Sequence, residues 1–264
     1  MHPTRAFLVI LLLLVLGAGC RTSPQSKQVT ETGEETIQVD STGLVLTGFH
    51  GAIAVRGTTN GEAVVRFEKK ARSSTEDSAQ VLLSGITLDT TGRTREGATR
   101  IDVQSEYADA TEVELVVRLP AHIPVQIEAA NAPVTVEGMN APVDIDITSG
   151  NVTVRGSTGQ IDVRTESGSV DVVVDSASAD MNVRLRTGNG NVNLTLPPAV
   201  SARLDAVTQT GSIDQQGLDL SEPWEQPTAT GDMLSGVLGT GEGRIRINVQ
   251  NGSILIRSQQ GEAL

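Results

Sequence analysis

The chain of 264 residues has few of the side chains that anchor tight protein interfaces. Aromatic residues are 2% of the sequence, with Trp224 and Tyr107 as the single tryptophan and tyrosine. Large aromatic anchors dominate the energetics of such interfaces, so their scarcity argues against an interface of that kind. The core must be filled by valine, isoleucine and leucine. Glycine, at 27 residues, supplies turns and favours many short strands over long helices.

The residues of common catalytic and metal centres are also scarce. Cys20 is the only cysteine, so no disulfide can form within the chain. His50 and His122 follow the first 20 residues without a His-x-x-x-His spacing or a cysteine partner, so a transition-metal site is not expected. The sequence has no Gly-x-Ser-x-Gly elbow, and residues 239–243 lack the Gly-Lys-Ser/Thr ending of a phosphate-binding loop. We therefore predict no catalytic residues, no metal site and no cofactor.

Basic residues are outnumbered by acidic ones, 20 to 32, for a net charge of −12. Loss of residues 1–19 would remove Arg5 and leave 19 − 32 = −13. An acidic surface repels phosphate backbones and anionic headgroups. Nucleic acid is therefore not an expected partner.

The first 19 residues are predicted to be an export signal. Arg5 is followed by an apolar run over residues 6–16, too short to span a bilayer as a helix, which needs roughly 20 residues. Gly17-Ala18-Gly19 then precedes Cys20 and resembles a bacterial lipobox, which implies a diacylglyceryl group on the cysteine. Lipoboxes prefer leucine where this chain has Gly17, so an ordinary signal-peptidase site is the alternative.

Lipid on Cys20 would make the membrane a partner, because each buried CH₂ contributes about 0.8 kcal/mol. Arg21 follows the cysteine in place of the aspartate that retains many Gram-negative lipoproteins at the inner membrane, which favours the outer membrane. Residues 20–36 are polar and aperiodic, and we predict a flexible tether. Residues 258–264 are predicted to be a frayed tail.

One short sequence motif, which we call the phrase, recurs every nine residues in the middle of the chain. It joins a turn to two apolar residues separated by one polar residue, and it reads APVTV from 132, APVDI from 141, GNVTV from 150, GQIDV from 159 and GSVDV from 168. Self-similarity at a fixed period marks units that bury an apolar face only by stacking on their neighbours. The phrase returns as GRIRI from 243 and GSILI from 252.

A nine-residue step fits either antiparallel hairpins or a solenoid with two strands per coil. In an eighteen-residue coil Glu137 lies next to Arg155, and Asp146 next to Arg164, about 4.8 Å apart along the ladder. In a nine-residue register Glu137 would neighbour Asp146, which is unfavourable. Ser-Gly and Thr-Gly corners also recur where hairpins would more often show Asn-Gly. These observations favour a β-solenoid over a sandwich.

The strand pattern covers residues 37–257 and predicts one all-β domain. Residues 73–84 are the one predicted helix, with Ser74 or Thr75 as its cap, and it should lie against one end of the stack. Residues 215–241 interrupt the pattern and are predicted to be a long loop that carries Trp224 between two prolines. Trp224 is the candidate contact for a ligand or partner, although a lone tryptophan more often covers the open end of a core.

Carboxylates recur on the predicted outer face of the strands. Asp144 and Asp146 form a pair, and Asp162 and Asp171 occupy positions equivalent to Asp144. Such groups could bind calcium or, in a groove, cleave acidic sugars. They also make a solvated strand face that discourages aggregation. The repeat lacks the Gly-Gly-x-Gly-x-Asp sequence of calcium-binding β-rolls, which favours the solvated face.

Several features together resemble a bacterial family of unknown function labelled "putative adhesins". They are the GAIAV opening from residue 51, the short helix, the strand ending in Leu119-Pro120, the Ser/Thr-Gly-x-Val/Ile-x-Val phrases and the closing GSILI. The likeness covers roughly residues 37–257. It implies a right-handed parallel β-solenoid and an envelope location, and the family supplies no catalytic residues.

We therefore expect an exported, lipid-anchored envelope protein with a structural or adhesin-like role and no enzymatic activity. A cell-surface glycan or another envelope protein is the candidate partner. Two alternatives stay open, a polysaccharide-active enzyme and a partner or scaffold in envelope stress signalling. Carboxylates clustered with arginine or lysine in one groove would favour the enzyme, and a flat, featureless face would argue against it.

Overall fold

The computed structural model describes residues 26–259 except 60, 159, 177, 179 and 180. The predicted export signal and Cys20 lie outside the described residues, as do residues 260–264 of the predicted C-terminal tail. Ser258, the first residue of that predicted tail, is instead the last residue of a strand. The described part begins one residue before the first strand and ends one residue after the last.

Strands make up nearly all of the regular structure. In chain order the elements are β1 (Lys27–Ile37), β2 (Leu44–His50), β3 (Ile53–Thr58), β4 (Ala63–Ser73), α1 (Glu76–Ser84), β5 (Ile86–Arg93), β6 (Thr99–Ser105), β7 (Thr111–Pro120), β8 (Val125–Asn131), β9 (Val134–Glu137), β10 (Val143–Ser149), β11 (Val152–Ser157), β12 (Ile161–Ser167), β13 (Val170–Val174), β14 (Asn182–Asn189), β15 (Val192–Leu196), β16 (Ala202–Thr210), β17 (Ile213–Gln216), β18 (Leu220–Pro227), β19 (Asp232–Leu238), β20 (Gly243–Asn251) and β21 (Ile254–Ser258).

These strands form two sheets, which we call sheet A and sheet B. The spatial order in sheet A is β1-β4-β7-β3-β9-β11-β13-β15-β21-β17. The order in sheet B is β18-β19-β16-β20-β14-β12-β10-β8-β2-β6-β5. Each coil supplies one strand to each sheet, and strands of neighbouring coils are parallel. The predicted parallel β-solenoid with two strands per coil is therefore confirmed.

The register of the coils matches the predicted eighteen-residue repeat. Val125, Val143 and Ile161 lie side by side on β8, β10 and β12. Glu137 is the register partner of Arg155, as the charge pattern predicts. The ion pair of Glu137 is formed with Arg56 on the other side, at 3.3 Å. The repeat lengthens after β12, where Ile161 pairs with a residue 22 positions later.

The core lies between the two sheets and is built by alternation along each strand. On β10, Val143, Ile145 and Ile147 are buried, while Asp144 and Asp146 point to solvent. Parallel sheets covered on both faces show continuous apolar runs, whereas here each sheet has one solvated face. The two-residue periodicity that predicts the strands is the direct result.

The coils are not stacked in chain order at either end. Coil β2/β3 lies between β6/β7 and β8/β9, and coil β20/β21 lies between β14/β15 and β16/β17. The last coil of the chain is therefore inserted into the stack, flanked in sheet B by β14 and β16. Its core side chains have neighbours on both sides.

The N-terminal end of the stack is closed by antiparallel strands and the helix. Residues 27–36, predicted to belong to a flexible tether, instead form most of β1, which pairs along its whole length with β4. The tether prediction is wrong there because Val29 and Ile37 are buried against the core. Helix α1 packs on β1 and β4 with Ala79 and Leu83 buried.

The helix follows the sequence prediction closely. The hydroxyl of Thr75 accepts a hydrogen bond from the Ser78 amide at 3.2 Å, and Gly85 lies beyond the last turn. Glu76 and Asp77 occupy the first turn, where the helix dipole favours negative charge. At nine residues it is the one helix in the described part of the chain, and nothing in that part is long and apolar enough to be a membrane-spanning helix.

The predicted loop over residues 215–241 is mostly β-structure. Strands β18 and β19 form an antiparallel hairpin, and β19 pairs with β16 to extend sheet B. The two prolines that suggested a loop lie on β18, the outermost strand, where the ladder needs fewer amide donors. Trp224 is 49% exposed on that strand, so the prediction that it covers the open core is wrong.

Candidate functional site

The outer face of sheet B carries a row of arginines that crosses four adjacent strands. Side chains at alternate positions of β12, β14, β20 and β16 point outward, while their neighbours fill the core. We call the six arginines at these outward positions the arginine stripe. Its members, in spatial order, are Arg203, Arg244, Arg246, Arg184, Arg186 and Arg164.

The register makes the stripe run diagonally. Arg203 lies opposite Arg244, Arg246 opposite Arg184, and Arg186 opposite Arg164. Within β20 and β14 the next arginine is two residues along the strand. Each step is therefore about 4.8 Å across the sheet or about 6.6 Å along it, and the six side chains span about 20 Å.

Most of the stripe has no ion-pair partner among the described residues. Arg184 forms an ion pair with Asp162 at 3.4 Å. The other five side chains form no ion pair or side-chain hydrogen bond with any residue that the structure describes. Like charges directly opposite one another destabilise a sheet, and the stripe contains three such pairs.

An acidic patch adjoins the stripe on the same face. Glu128 on β8 lies next to Asp146 on β10, and Asp144 lies next to Asp162 on β12. Burial raises the pKa of the Asp144 carboxyl above its ordinary value, and the negative charges of Asp162, Asp146 and Glu128 raise it further. The patch and the stripe together give this face two regions of opposite charge.

Replacing Asp144 by asparagine should stabilise the protein at neutral pH. Because the pKa of Asp144 is raised in the folded state, folding favours its neutral form, and stability is lost as the pH rises through that pKa. We expect the free energy of unfolding at pH 7 to rise by about 0.2–1 kcal/mol, the scale of one cross-strand pair. Urea denaturation at pH 7 and near pH 3 measures the effect, which should vanish at the lower pH.

Asp171 provides the matched control because its sequence position is equivalent to that of Asp144. Its carboxylate accepts a hydrogen bond from Arg155 at 2.9 Å, so Asp171→Asn should lower stability slightly or leave it unchanged. Equal stabilisation by both substitutions would show that the acidic patch is not the cause.

Trp224 lies on the same face, beyond the Arg203 end of the stripe. It pairs with Ser235 on β19, and Ser235 pairs with Asp205 on β16. The partly buried Val237 lies between Trp224 and Arg203 on this surface. Val237 thus extends the stripe by one strand, and Trp224 lies to one side of that line, level with Asp205.

A cavity elsewhere in the fold lacks the side chains of a catalytic site. A cavity of about 600 Å³ near the ends of β15, β17 and β21 has Arg257 as its one ionisable lining residue, which donates to Thr195 at 3.0 Å. That lining contains no acid–base pair. Among the residues that the structure describes, no cluster of three histidine, cysteine or acidic side chains has the arrangement of a metal site.

The sequence-predicted site residues have different outcomes. Cys20 lies outside the described residues, and Trp224 is exposed and available for contact. Asp144, Asp146 and Asp162 lie together on sheet B, whereas Asp171 is on sheet A. Sequence reasoning missed the stripe. The alternating arginines in VRLR from residue 183 and RIRI from residue 244 were its one visible signal.

The coils from β8 to β21, together with the β18–β19 hairpin, match a known protein family. Residues 124–257, just over half of the chain, match the model of the Toastrack family, DUF4097. The chain belongs to this family. The predicted resemblance to the family of unknown function is thereby confirmed. The Toastrack fold is β-solenoid-like, as the strand register shows directly.

Solved structures are similar to this chain at low sequence identity. A "putative cell adhesion protein" from Clostridium sporogenes is 13% identical, with a TM-score of 0.50 over 89% of this chain and 100% of that one. A "putative adhesin" from Bacteroides fragilis is 12% identical, with a TM-score of 0.40 over 88% of this chain and 98% of that one. The first of these likenesses shows the fold alone. No curated protein matches the sequence.

Proposed function

We propose that this Toastrack protein is an exported, lipid-anchored envelope protein that acts as a non-catalytic, adhesin-like binder. The observation that most directly supports this proposal is made on the outer face of sheet B. There, five of the six arginines of the stripe lack a partner in the described part of the chain. Charged side chains that the fold itself does not use are available to a ligand. Trp224, exposed on the same face, adds a surface on which a sugar ring or another apolar group can stack.

The cellular location of the protein is proposed from its first 20 residues. The apolar run of residues 6–16 and the lipobox-like ending support export and lipidation of Cys20. Two acyl chains would hold the domain at a membrane, and the acidic surface would contribute little attraction to anionic lipids. The absence of aspartate after the cysteine supports the outer membrane in a Gram-negative cell.

Substitution of Cys20 by alanine tests the proposed membrane location. We expect the unaltered protein in the membrane fraction, with a diacylglyceryl group on Cys20 detected by mass spectrometry of the mature N-terminus. The Cys20→Ala protein should leave the membrane fraction entirely, because the anchor is the acyl chains. If both forms are cleaved and recovered in the soluble fraction, lipid anchoring is wrong and the protein is a free exported protein.

The acidic patch favours a second candidate function, a polysaccharide-active enzyme. Glu128, Asp144 and Asp146 lie near Arg164 on sheet B, and carboxylates with arginine are a common grouping for acting on acidic sugars. The surface there is shallow, with a depression of about 360 Å³ lined by Glu128, Ala129 and Ala130 of β8 and by Asp146 and Thr148 of β10. If the protein releases new reducing ends from acidic polysaccharides, and the Asp144→Asn variant does not, the protein is an enzyme and the proposal of a non-catalytic binder is wrong.

A further inference from the structure

We infer that the arginine stripe binds an acidic polysaccharide, a linear sugar polymer that carries carboxylate groups. This inference rests on the proposed adhesin-like role, because it names the ligand class that such a binder would recognise. Three observations carry it, namely the length of the stripe, its width and the chemistry of its side chains.

The length of the stripe indicates a polymer. Its six arginines span about 20 Å in steps of about 5 to 7 Å. A single carboxylate or phosphate reaches two of them at most. A chain with an anionic group at regular intervals can contact successive arginines, and each contact adds to the others because the groups are linked.

The width of the stripe indicates a thin ligand. The row through its centre reads Asp162, Arg184, Arg246 and Asp205 across four adjacent strands, so acidic side chains flank the central pair. A flat anionic membrane or a nucleic acid duplex would bring negative charge over Asp162, Asp205 and the acidic patch. A single polysaccharide chain can follow the diagonal and avoid them.

The chemistry of the stripe indicates carboxylate recognition with a sugar. The planar guanidinium donates two parallel hydrogen bonds to one carboxylate, which lysine cannot do. Trp224 lies two strands beyond Asp205, on the row of Arg184 and Arg246, where its exposed ring can contact a ligand that extends past the stripe. One aromatic ring suits a sugar face at one end of the ligand, whereas single-stranded nucleic acid is bound on several stacking rings.

The three opposed arginine pairs support a functional origin of the stripe. Each places two like charges about 4.8 Å apart across the ladder. Arg56 and Arg118 on sheet A are also opposed, but Arg56 forms an ion pair with Glu137, whereas five of the six stripe arginines have no such partner among the described residues. Local conflicts of this kind concentrate at functional sites. A bound polyanion would convert the three repulsive pairs into favourable ones.

The test measures binding of the Cys20→Ala protein, which carries no lipid, to four probes by titration calorimetry. The probes are polygalacturonate, uncharged dextran, duplex DNA and phosphatidylglycerol vesicles. We expect binding to polygalacturonate that weakens as salt rises from about 50 to about 500 mM, and no binding to dextran. Tighter binding to DNA or to the vesicles than to polygalacturonate would assign the stripe to phosphate groups and overturn the inference.

Paired substitutions locate the site. Arg184→Gln with Arg246→Gln should weaken polygalacturonate binding at least tenfold. Arg56→Gln with Arg118→Gln is the matched control, because these two arginines are also register partners but lie on sheet A, and binding should stay within twofold. Equal loss in both double variants, or no binding by the unaltered stripe, would overturn the inference.

Two further readouts separate binding from folding and from cellular location. Arg184→Lys with Arg246→Lys keeps the charge but loses the guanidinium fork, so binding should fall to an intermediate level while the thermal midpoint is unchanged. Binding in solution does not depend on Cys20, and membrane fractionation does not depend on the stripe. The two experiments therefore test the proposed ligand and the proposed membrane location separately, and one proposal can be wrong while the other holds.

Discussion

Replacing Gly168 by alanine should destabilise the protein by about 3–5 kcal/mol. Gly168 lies at the corner between β12 and β13 with a φ of 150°, a backbone conformation that favours glycine. A Cβ placed there would lie 1.9 Å from the carbonyl oxygen of Gly150 in the neighbouring coil. The neighbouring atom is backbone in a hydrogen-bonded stack, so it cannot move without separating two coils.

The cost of this substitution arises because glycines are stacked at that corner. The Gly150 amide donates to the Ser167 carbonyl, the Gly168 amide donates to the Asn189 carbonyl, and the distances are 2.9 and 2.8 Å. Gly190 continues the column, and a Cβ there would lie 2.1 Å from the carbonyl oxygen of Gly168. Glycine lets successive coils approach closely enough for these amides to reach their acceptors.

Chemical denaturation measures the Gly168→Ala effect, with Gly61→Ala as the control. Gly61 also has a positive φ, 80°, but nothing lies within 4 Å of the point that a Cβ would occupy there. It should therefore show only the backbone strain, about 1 kcal/mol. Similar denaturation midpoints for the two variants would contradict the close stacking of coils at the corner.

Ile247→Ala should cost about 2–5 kcal/mol because the last coil is inserted between two other coils of the stack. Ile247 is fully buried on β20, with Leu185 of β14 on one side and Ala206 of β16 on the other. Removal of three carbon atoms there leaves a cavity lined by side chains held in both neighbouring coils. Such a site cannot collapse easily, which places the expected loss well above that of a surface change.

The neighbouring residue supplies the control for this prediction. Asn248 is exposed on the outer face, so Asn248→Ala should change the free energy of unfolding by less than about 0.5 kcal/mol. The measurement also tests the order of the coils. If β20 lay at the outer end of the stack, Ile247 would have a neighbour on one side, and its truncation would cost only about 1 kcal/mol.

Much of the architecture could be predicted because its signals are local. Alternation of Val143, Asp144 and Ile145 assigns the strand and its buried face. The nine-residue step and the charges of Glu137 and Arg155 determine the coil, and both are confirmed by the strand register. The helix was predictable for the same reason, since its cap and its apolar residues lie within one short segment.

The errors occurred where polar composition or proline was taken to exclude strands. Residues 27–36 look like a tether, yet their backbone amides complete the ladder of β4. The β18–β19 hairpin contains prolines and few core residues because it forms the edge of sheet B. Edge strands make fewer demands on sequence than central ones, so their pattern is weak.

The sequence by itself determined a parallel solenoid of short strands, its repeat and its capping helix, because side-chain alternation and turn chemistry act over a few residues. The tertiary structure alone decided the order of the coils. Insertion of β20 between β14 and β16 places Arg246 beside Arg184 and Arg244 beside Arg203, and so creates the arginine stripe. Contacts between residues so far apart in the chain depend on which strands pair, and no local spacing records that choice.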